Sequence, residues 1–120
     1  MRALTARMPI SQEVCQPIGI VHGGASCVLA ETVGSVAANC VVDISQWVCV
    51  GLDINANHLL PVRKGQAVLA TASPVHIGKR THVWQIDVKI EDSDRMSCVS
   101  RLTMAVIAVN PEQGGIVASA

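Results

Sequence analysis

The sequence has 120 residues, half of them hydrophobic, and a mean hydropathy of +0.42. This length predicts one domain with a modest core. Nine basic residues balance nine acidic ones, and no basic run exceeds two residues. We therefore expect no nucleic-acid partner, which would need a basic stripe. We expect no secretory signal or membrane span, because the N-terminus lacks an apolar core and no apolar run approaches roughly 18 residues.

The cysteines and the scarcity of aromatic residues indicate which side chains form the core. Five cysteines form no CxxC pair, which favours reduced thiols in a cytoplasmic protein that pack as small hydrophobes. There is no Phe or Tyr and there are two Trp residues, so the core must be largely aliphatic. The surplus of apolar residues indicates surface buried between subunits; the alternative is a tightly packed monomer.

The first half of the chain predicts one strand and one helix. ALTARMP alternates weakly, as a short strand does. Pro17 and Gly19 then mark a loop that leads to a helix over Val21 to Val42, where Ala, Leu, Val, Cys and Ser dominate and no Pro occurs. Asp43 to Gln46 is a predicted turn.

From Trp47 onward the hydrophobic period is two, which predicts four long strands in an antiparallel sheet. Alternation in THVWQIDVKI gives one apolar face and one mixed face. The tail over 110–120 carries turn residues and is expected to fray. The predicted strands are WVCVGLDINANHL, GQAVLATASPVHIG, RTHVWQIDVKI and MSCVSRLTMAVIAV.

One apolar helix and one sheet predict an α+β fold in which the sheet wraps around a long central helix. Such a sheet would bury most of the helix circumference and explain its lack of charge. Small residues at Ala30, Gly34, Ala37 and Ala38 would let the strands approach closely. Gly34 costs about 1 kcal/mol of helix propensity relative to Ala, so close packing is the motive we expect for it.

Glu31 is the one formal charge of this helix. Removing an unpaired carboxylate from water costs on the order of several kcal/mol, so an isolated acid on an apolar helix indicates a function. Cys27, Glu31, Ser35 and Asn39 fall in one i, i+4 row. This row is either the polar side of a catalytic cleft, where a carboxylate activates water or attacks a carbonyl, or a solvated strip.

His22, Gly23 and Gly24 open the helix. Amide groups in the first turn lack intrahelical partners and carry partial positive charge, so the Gly23 N–H is a candidate donor to an oxyanion. The alternative is a plain helix start with flexible glycines and a histidine cap. The four histidines show no metal-like spacing, and we predict no metal.

Two basic turns are candidates for phosphate binding. Arg63 and Lys64 precede one glycine, and Lys79 and Arg80 follow another. Two such turns brought together would hold a nucleotide diphosphate. Solvated turn charges are the alternative.

Several separate motifs agree in order with one family. QPIGIVHGGASCVLAETVGS, VGLDINANHLLPVRKG, VHIGKRTHVWQIDV and SCVSRLTMAVI strongly resemble the hotdog-fold acyl-CoA thioesterases of the phenylacetate-pathway type. The branch they resemble cleaves 1,4-dihydroxy-2-naphthoyl-CoA or proofreads aryl loads in siderophore synthesis. The resemblance covers about Leu4 to Val109. It implies a single hotdog domain over 1–120 that hydrolyses acyl-CoA, with aryl or polyketide-like acyl groups favoured and with no cofactor, since the CoA thioester is the substrate.

The resemblance also implies site roles. Glu31 would be base or nucleophile, Gly23 would donate its N–H to the thioester carbonyl, and Gln16 would add a side-chain amide from the subunit opposite the acid. His22 would orient the thioester, and Ser35 would hold the attacking water or the acid. Without the resemblance, Gln16 is a plain loop residue and Ser35 a packing residue.

By the same resemblance, further residues contact CoA or the acyl group, in a homodimer or homotetramer whose active sites lie between subunits. Family members usually carry an additional helix and strand before ALTARMP, so either the start is truncated or this variant lacks that cap. A non-catalytic acyl-CoA-binding hotdog protein and a hotdog dehydratase are the rival functions. The expected contacts are Gly51, His58, Leu59, Leu60, Pro61, His76, Ile77, Gly78, Lys79, Arg80 and Thr81.

Overall fold

The computed structural model describes residues 3–110 and 115–116. One long helix is followed by four long strands, as the sequence predicts, and a short strand precedes it. The elements are β1 (Leu4–Pro9), a 3-10 turn (Gln12–Val14), α1 (Gly23–Cys40), β2 (Trp47–His58), β3 (Ala67–Ile77), β4 (Thr81–Ile90), β5 (Met96–Asn110) and β6 (Gly115–Ile116).

The strands form one antiparallel sheet in the order β1-β3-β4-β5-β2, and β6 pairs with the end of β5. β2 is an edge strand, because β5 is its one strand neighbour in the described part of the chain. Its pairing with β5 shifts register between Gly51 and Asp53, so one extra residue bends the strand there.

α1 packs on one face of this sheet and contacts β1 to β5. The apolar face predicted for β4 is confirmed, since His82, Trp84, Ile86, Val88 and Ile90 are all buried. A single long helix on an antiparallel sheet is the α+β hotdog fold that the resemblance predicts.

The small residues of α1 do allow close packing. Ala30, Gly34, Ala37 and Ala38 are buried. A Cβ added to Gly34 would stand 2.6 Å from Cδ2 of Leu102, a separation that no real contact shows. The sheet and the helix therefore touch through the glycine backbone.

The expectation that the sheet buries most of the helix circumference is wrong for the single chain. Val28 is 67% exposed and Val36 is 49% exposed, and Glu31 and Thr32 between them are also exposed. A single sheet presents one concave face, so the opposite side of α1 stays uncovered. Glu31 therefore faces water in the isolated chain. The side of α1 that the sheet leaves uncovered is largely apolar, which is why the helix has so few charged residues.

The chain ends beyond this core. Asn110 closes β5, and residues 115 and 116 form β6; the rest of the tail expected to fray lies outside the described residues. Within the described ranges, no helix combines the length and apolarity needed to cross a bilayer.

Candidate active site

His22 is the N-cap residue of α1. Its backbone is extended, and its side-chain Nδ1 accepts a hydrogen bond from the Gly24 amide at 2.9 Å. A ring nitrogen that accepts carries no proton, so in the neutral ring the proton lies on Nε2. His22 thus serves as the helix cap that the sequence left as one alternative.

Gly23, the first residue of α1, faces His58 at the end of β2. A Cβ on Gly23 would stand 3.0 Å from Nε2 of His58. Because glycine has no side chain, the imidazole can pack against the start of the helix. Among residues 3–110 and 115–116, no protein acceptor bonds the Gly23 N–H. That donor is available to a ligand.

A cavity of about 300 Å³ opens at this helix start. It brings together six of the residues expected at the site, so this part of the expected constellation is contiguous within one chain. It also contains four residues that the sequence analysis missed. The expected residues are Gln16, Gly23, His58, Leu59, Leu60 and Pro61, and the additional ones are Ile20, Val21, Ser26 and Ser97.

Two of the missed residues show one signal that was present in the sequence and one that was not. Ser26 lies one turn after Gly23 on the same helix, and this spacing was available in the sequence. The Ser97 carbonyl accepts a hydrogen bond from the Leu59 amide at 2.8 Å. That contact joins β5 to the residue after β2, a pairing that no local pattern indicates.

Glu31 lies in a different and smaller cavity, of about 170 Å³. Its carboxylate carbon stands 3.7 Å from the Cβ position of Gly51 on β2, so these two expected residues do meet. Ser35 is half-buried one turn further along α1. Cys27, Val28, Thr32 and Ile54 line the cavity with Glu31.

The two cavities are separated along the helix. Gly23 and Glu31 are eight residues apart in α1, which corresponds to about 12 Å of axial rise. An oxyanion donor and a base must both reach one thioester carbonyl, at hydrogen-bond distances. One chain alone therefore does not assemble the expected site.

The predicted CoA turn over 76–81 lies at the other end of the sheet. Ile77, Gly78 and Lys79 line a cavity of about 440 Å³ together with Trp47 and His82. His76 packs so close to Gly78 that a Cβ on this glycine would stand 2.6 Å from its Nε2.

The ends of that turn are held by backbone contacts. The carbonyl of Thr81 accepts a hydrogen bond from the Gly78 amide at 2.8 Å. The carbonyl of Arg80 accepts one from the amide of Val106 at 2.9 Å. The turn is thereby tied to β5.

The two basic turns are not brought together within one chain, contrary to the arrangement considered from the sequence. β3 runs from Ala67 to Ile77 between them, and ten steps along a strand span roughly 33 Å. Lys64 instead lines a cavity that also contains Gln16. A phosphate bound by both turns would need two chains.

A model of the thioesterase superfamily matches residues 18–97. The chain belongs to the thioesterase superfamily. A solved thioesterase from Pseudomonas aeruginosa, in a glutamine-to-alanine variant, is 48% identical and superposes with a TM-score of 0.86, covering 90% of this chain and 76% of that one. The 1,4-dihydroxy-2-naphthoyl-CoA hydrolase of Escherichia coli K12 is 46% identical over 87% of this chain and 74% of its own length.

The proofreading thioesterase EntH of Klebsiella pneumoniae is 40% identical over 87% of this chain and 74% of its own. The E. coli PaaI protein from the phenylacetic acid degradation operon, at 22% identity and a TM-score of 0.79, shares the fold over 97% of this chain and 76% of that one. This thioesterase is accordingly a thioester hydrolase with a hotdog fold.

The sequence analysis did not single out His82 and Cys49, whose side chains are buried next to each other. His82 lines the cavity of about 440 Å³. The Trp84 indole donates to Nδ1 of His82 at 3.3 Å, and Sγ of Cys49 lies 3.8 Å from the same nitrogen. Burial, with a smaller contribution from His76, lowers the pKa of His82, and burial raises the pKa of the Cys49 thiol. Both groups are therefore neutral near pH 7, and Cys49 is the inert hydrophobe expected of it.

Metal chemistry has no visible ligand set in the described ranges. No three His, Cys, Asp or Glu side chains there are grouped so that they would hold an ion. The two cavities along α1 contain an unpaired helix amide, a side-chain amide and one carboxylate.

Proposed function

We propose that this thioesterase hydrolyses acyl-CoA, with aryl or polyketide-like acyl groups favoured, in an active site composed from two subunits. The observation that carries this proposal is that Glu31 lies in one cavity and Gln16 and Gly23 lie in another. β2 contributes a residue to each cavity and has an open edge. Relatives named for 1,4-dihydroxy-2-naphthoyl-CoA hydrolysis and for proofreading support the substrate class.

An open edge strand supports pairing with a second copy. Its backbone donors and acceptors are a template for another strand, and pairing with an identical strand gives a closed two-fold dimer. Exposed apolar side chains on β2 and α1, such as Leu52 at 62% and Val28 at 67%, would be covered at such an interface. We propose a homodimer or homotetramer in which Glu31 of one chain faces Gln16 and Gly23 of the other.

The reaction follows from these groups. A water oxygen attacks the thioester carbonyl carbon while the Glu31 carboxylate takes a proton from that water. The developing oxyanion accepts hydrogen bonds from the Gly23 amide and the Gln16 side chain. The carbon–sulfur bond then breaks, and the thiolate, with an ordinary thiol pKa of about 8.5, takes the proton that Glu31 accepted from water. The products are free CoA and the carboxylic acid, and Glu31 is again a carboxylate.

Glu31 acting as the nucleophile is the second form of the same proposal. One carboxylate oxygen attacks the carbonyl, the thiolate leaves, and water hydrolyses the resulting mixed anhydride. Ser35, one turn along α1, would hold the water or the acid in either form, and His22 would orient the thioester through its capping position. The turn over 76–81 and residues 58–61 would hold CoA from different chains, and no cofactor takes part.

Spacing in a solved relative supports Glu31 and Gln16 as partners. One Staphylococcus aureus protein, 38% identical, has been solved with a glutamate replaced by alanine and, separately, as a thioesterase with a glutamine fifteen residues earlier replaced by alanine. Gln16 and Glu31 have the same separation. All five cysteines are free, which supports the cytoplasmic location proposed here.

The test is a panel of aryl-, short-chain- and long-chain-CoA esters assayed for free thiol. We expect aryl esters to give the highest kcat/KM and Glu31→Gln to abolish turnover while the assembly survives. Asp87→Asn is the matched control, because this carboxylate lies on β4 facing away from α1 and accepts from Gln85. Wild-type turnover in Glu31→Gln would overturn the assignment of the acid, and saturable binding without thiol release would overturn hydrolysis.

A further inference from the structure

Asn39 joins the end of α1 to the edge strand. Its side-chain oxygen accepts from the Cys49 amide at 2.9 Å, and its Nδ2 donates to the Cys49 carbonyl at 3.2 Å. The same Nδ2 donates to the Ser35 carbonyl at 2.9 Å, one helical turn back. One half-buried amide therefore holds a strand residue on two sides and its own helix on a third.

This contact occupies the open edge of β2. Because Asn39 bonds both backbone groups of Cys49, these groups point away from β5, on the side where a further strand would add. The asparagine amide thus takes the place of a strand neighbour at this residue. The part of the edge that stays free begins after Cys49.

The contact also lies next to the irregular part of β2. The pairing of β2 with β5 shifts register between Gly51 and Asp53, so backbone pairing alone defines this stretch less firmly. Apolar contacts between α1 and the sheet are non-directional, so they define the position of the strand along its own axis less sharply than hydrogen bonds do. The directional hydrogen bonds of Asn39 do fix it, two residues before Gly51.

Gly51 in turn faces the proposed acid. The Glu31 carboxylate stands 3.7 Å from its Cβ position, and Glu31 and Asn39 belong to the same side of α1, two turns apart. Fixing Cys49 relative to Asn39 consequently fixes Gly51 relative to Glu31.

We propose that Asn39 is a positioning residue for thioester hydrolysis, acting through β2 on the placement of the Glu31 carboxylate. This inference rests on the proposed function, in which Glu31 is the base or nucleophile. Asn39 itself touches no substrate in the proposal. It would act by holding Gly51 of β2 in place beside the Glu31 carboxylate.

The test compares Asn39→Ala with Ser100→Ala. Ser100 is buried and donates to the Asn55 carbonyl of β2 at 2.7 Å, so its removal also takes one side-chain hydrogen bond from β2 but leaves α1 joined to the strand. With benzoyl-CoA as probe, we expect Asn39→Ala to lower kcat by about 100-fold, the scale of a 1 Å misplacement, with little change in KM. Ser100→Ala should lower the melting temperature and leave kcat near the wild-type value.

The pH profile supplies a readout that a merely structural role would not move. A displaced carboxylate meets a different environment, so the acidic limb of kcat/KM should shift in Asn39→Ala and stay unchanged in Ser100→Ala. Asn39→Asp provides a second variant if Asn39→Ala does not fold. It keeps an acceptor for the Cys49 amide but loses both donors, and its kcat should also fall.

Opposite results separate the two proposals. Wild-type kcat and pH profile in folded Asn39→Ala, or an equal loss in Ser100→Ala, would overturn the positioning role. Glu31→Gln measured alongside tests the proposed function itself: its inactivity together with active Asn39→Ala removes the positioning role alone. Turnover in Glu31→Gln removes both.

Discussion

The Glu31 carboxylate carbon lies 3.7 Å from the point where a Cβ on Gly51 would stand. A helix residue and an edge-strand residue thus meet at the one acid of an otherwise uncharged helix. Glu31 is exposed in the single chain, and Gly51 and Ile54 are residues of β2 that lie beside it. The size of residue 51 should accordingly control the reaction.

Enlarging Gly51 should lower kcat in proportion to the side chain. A Cβ makes an ordinary contact with Glu31 at 3.7 Å, and the two further methyl groups of valine would add bulk beside the carboxylate. We expect Gly51→Val to lose about 100-fold in kcat and Gly51→Ala to lose less. Steady-state assays on an aryl-CoA would check this order, and equal rates for Gly51→Val and wild type would contradict it.

Gly34→Ala should destabilise the fold although alanine favours helix. The new Cβ would stand 2.6 Å from Cδ2 of Leu102 and 3.3 Å from Cδ1 of Ile86. Overpacking a core costs about 1 to 3 kcal/mol, against a gain of about 1 kcal/mol in helix propensity. Urea unfolding measures the balance.

A double-mutant cycle identifies the cause. Leu102→Val removes the atom that collides, so Gly34→Ala/Leu102→Val should be more stable than the sum of the two single changes predicts. A single Gly34→Ala chain that is more stable than wild type would show that the contact with Leu102 relaxes freely.

Stability should fall as the pH drops below about 6.5, the pKa of an unfolded histidine. Burial lowers the pKa of folded His82, so below that pH the unfolded chain binds a proton that the folded chain does not. Protonation would also place a hydrogen on Nδ1, where the Trp84 indole now donates. The carboxyl pKa values lowered in Glu13, Asp43 and Glu91 act in a more acidic range.

Urea midpoints between pH 7.5 and pH 5 would measure this dependence. In His82→Gln, where an amide oxygen still accepts from Trp84, the fall in midpoint over this range should be smaller than in wild type. Identical slopes in the two proteins would show that His82 does not cause it.

Local sequence patterns predicted the fold well, because residues a few positions apart determine each strand and helix. Alternation in β4 identified the buried face that includes Trp84 and Ile86, and Gly34 was recognised as a point of close approach because glycine is costly in a helix. The exposed side of α1 was missed, since an apolar helix looks the same whether a sheet or a second chain covers it.

The resemblance implied both the site residues and their division between two subunits, whereas spacing within one chain indicates only which residues are candidates. Gln16, Gly23 and His58 do share a cavity, whereas Glu31 lies about 12 Å along the helix, because eight residues of helix fix that distance. Asn39 was seen as part of a polar row. Its bond to Cys49 depends on where an edge strand passes, which no spacing within α1 reveals.

Subunit complementation tests the composite site most directly. We expect Glu31→Gln and Gln16→Ala chains each to be inactive alone. The two variants are co-expressed with different tags or refolded together. If each site takes its acid from one chain and its amide from the other, a mixed pair contains one intact site, and a random equal mixture recovers about a quarter of wild-type activity. Activity no higher than that of the two separate proteins, in a sample shown to contain mixed dimers, would contradict the shared active site.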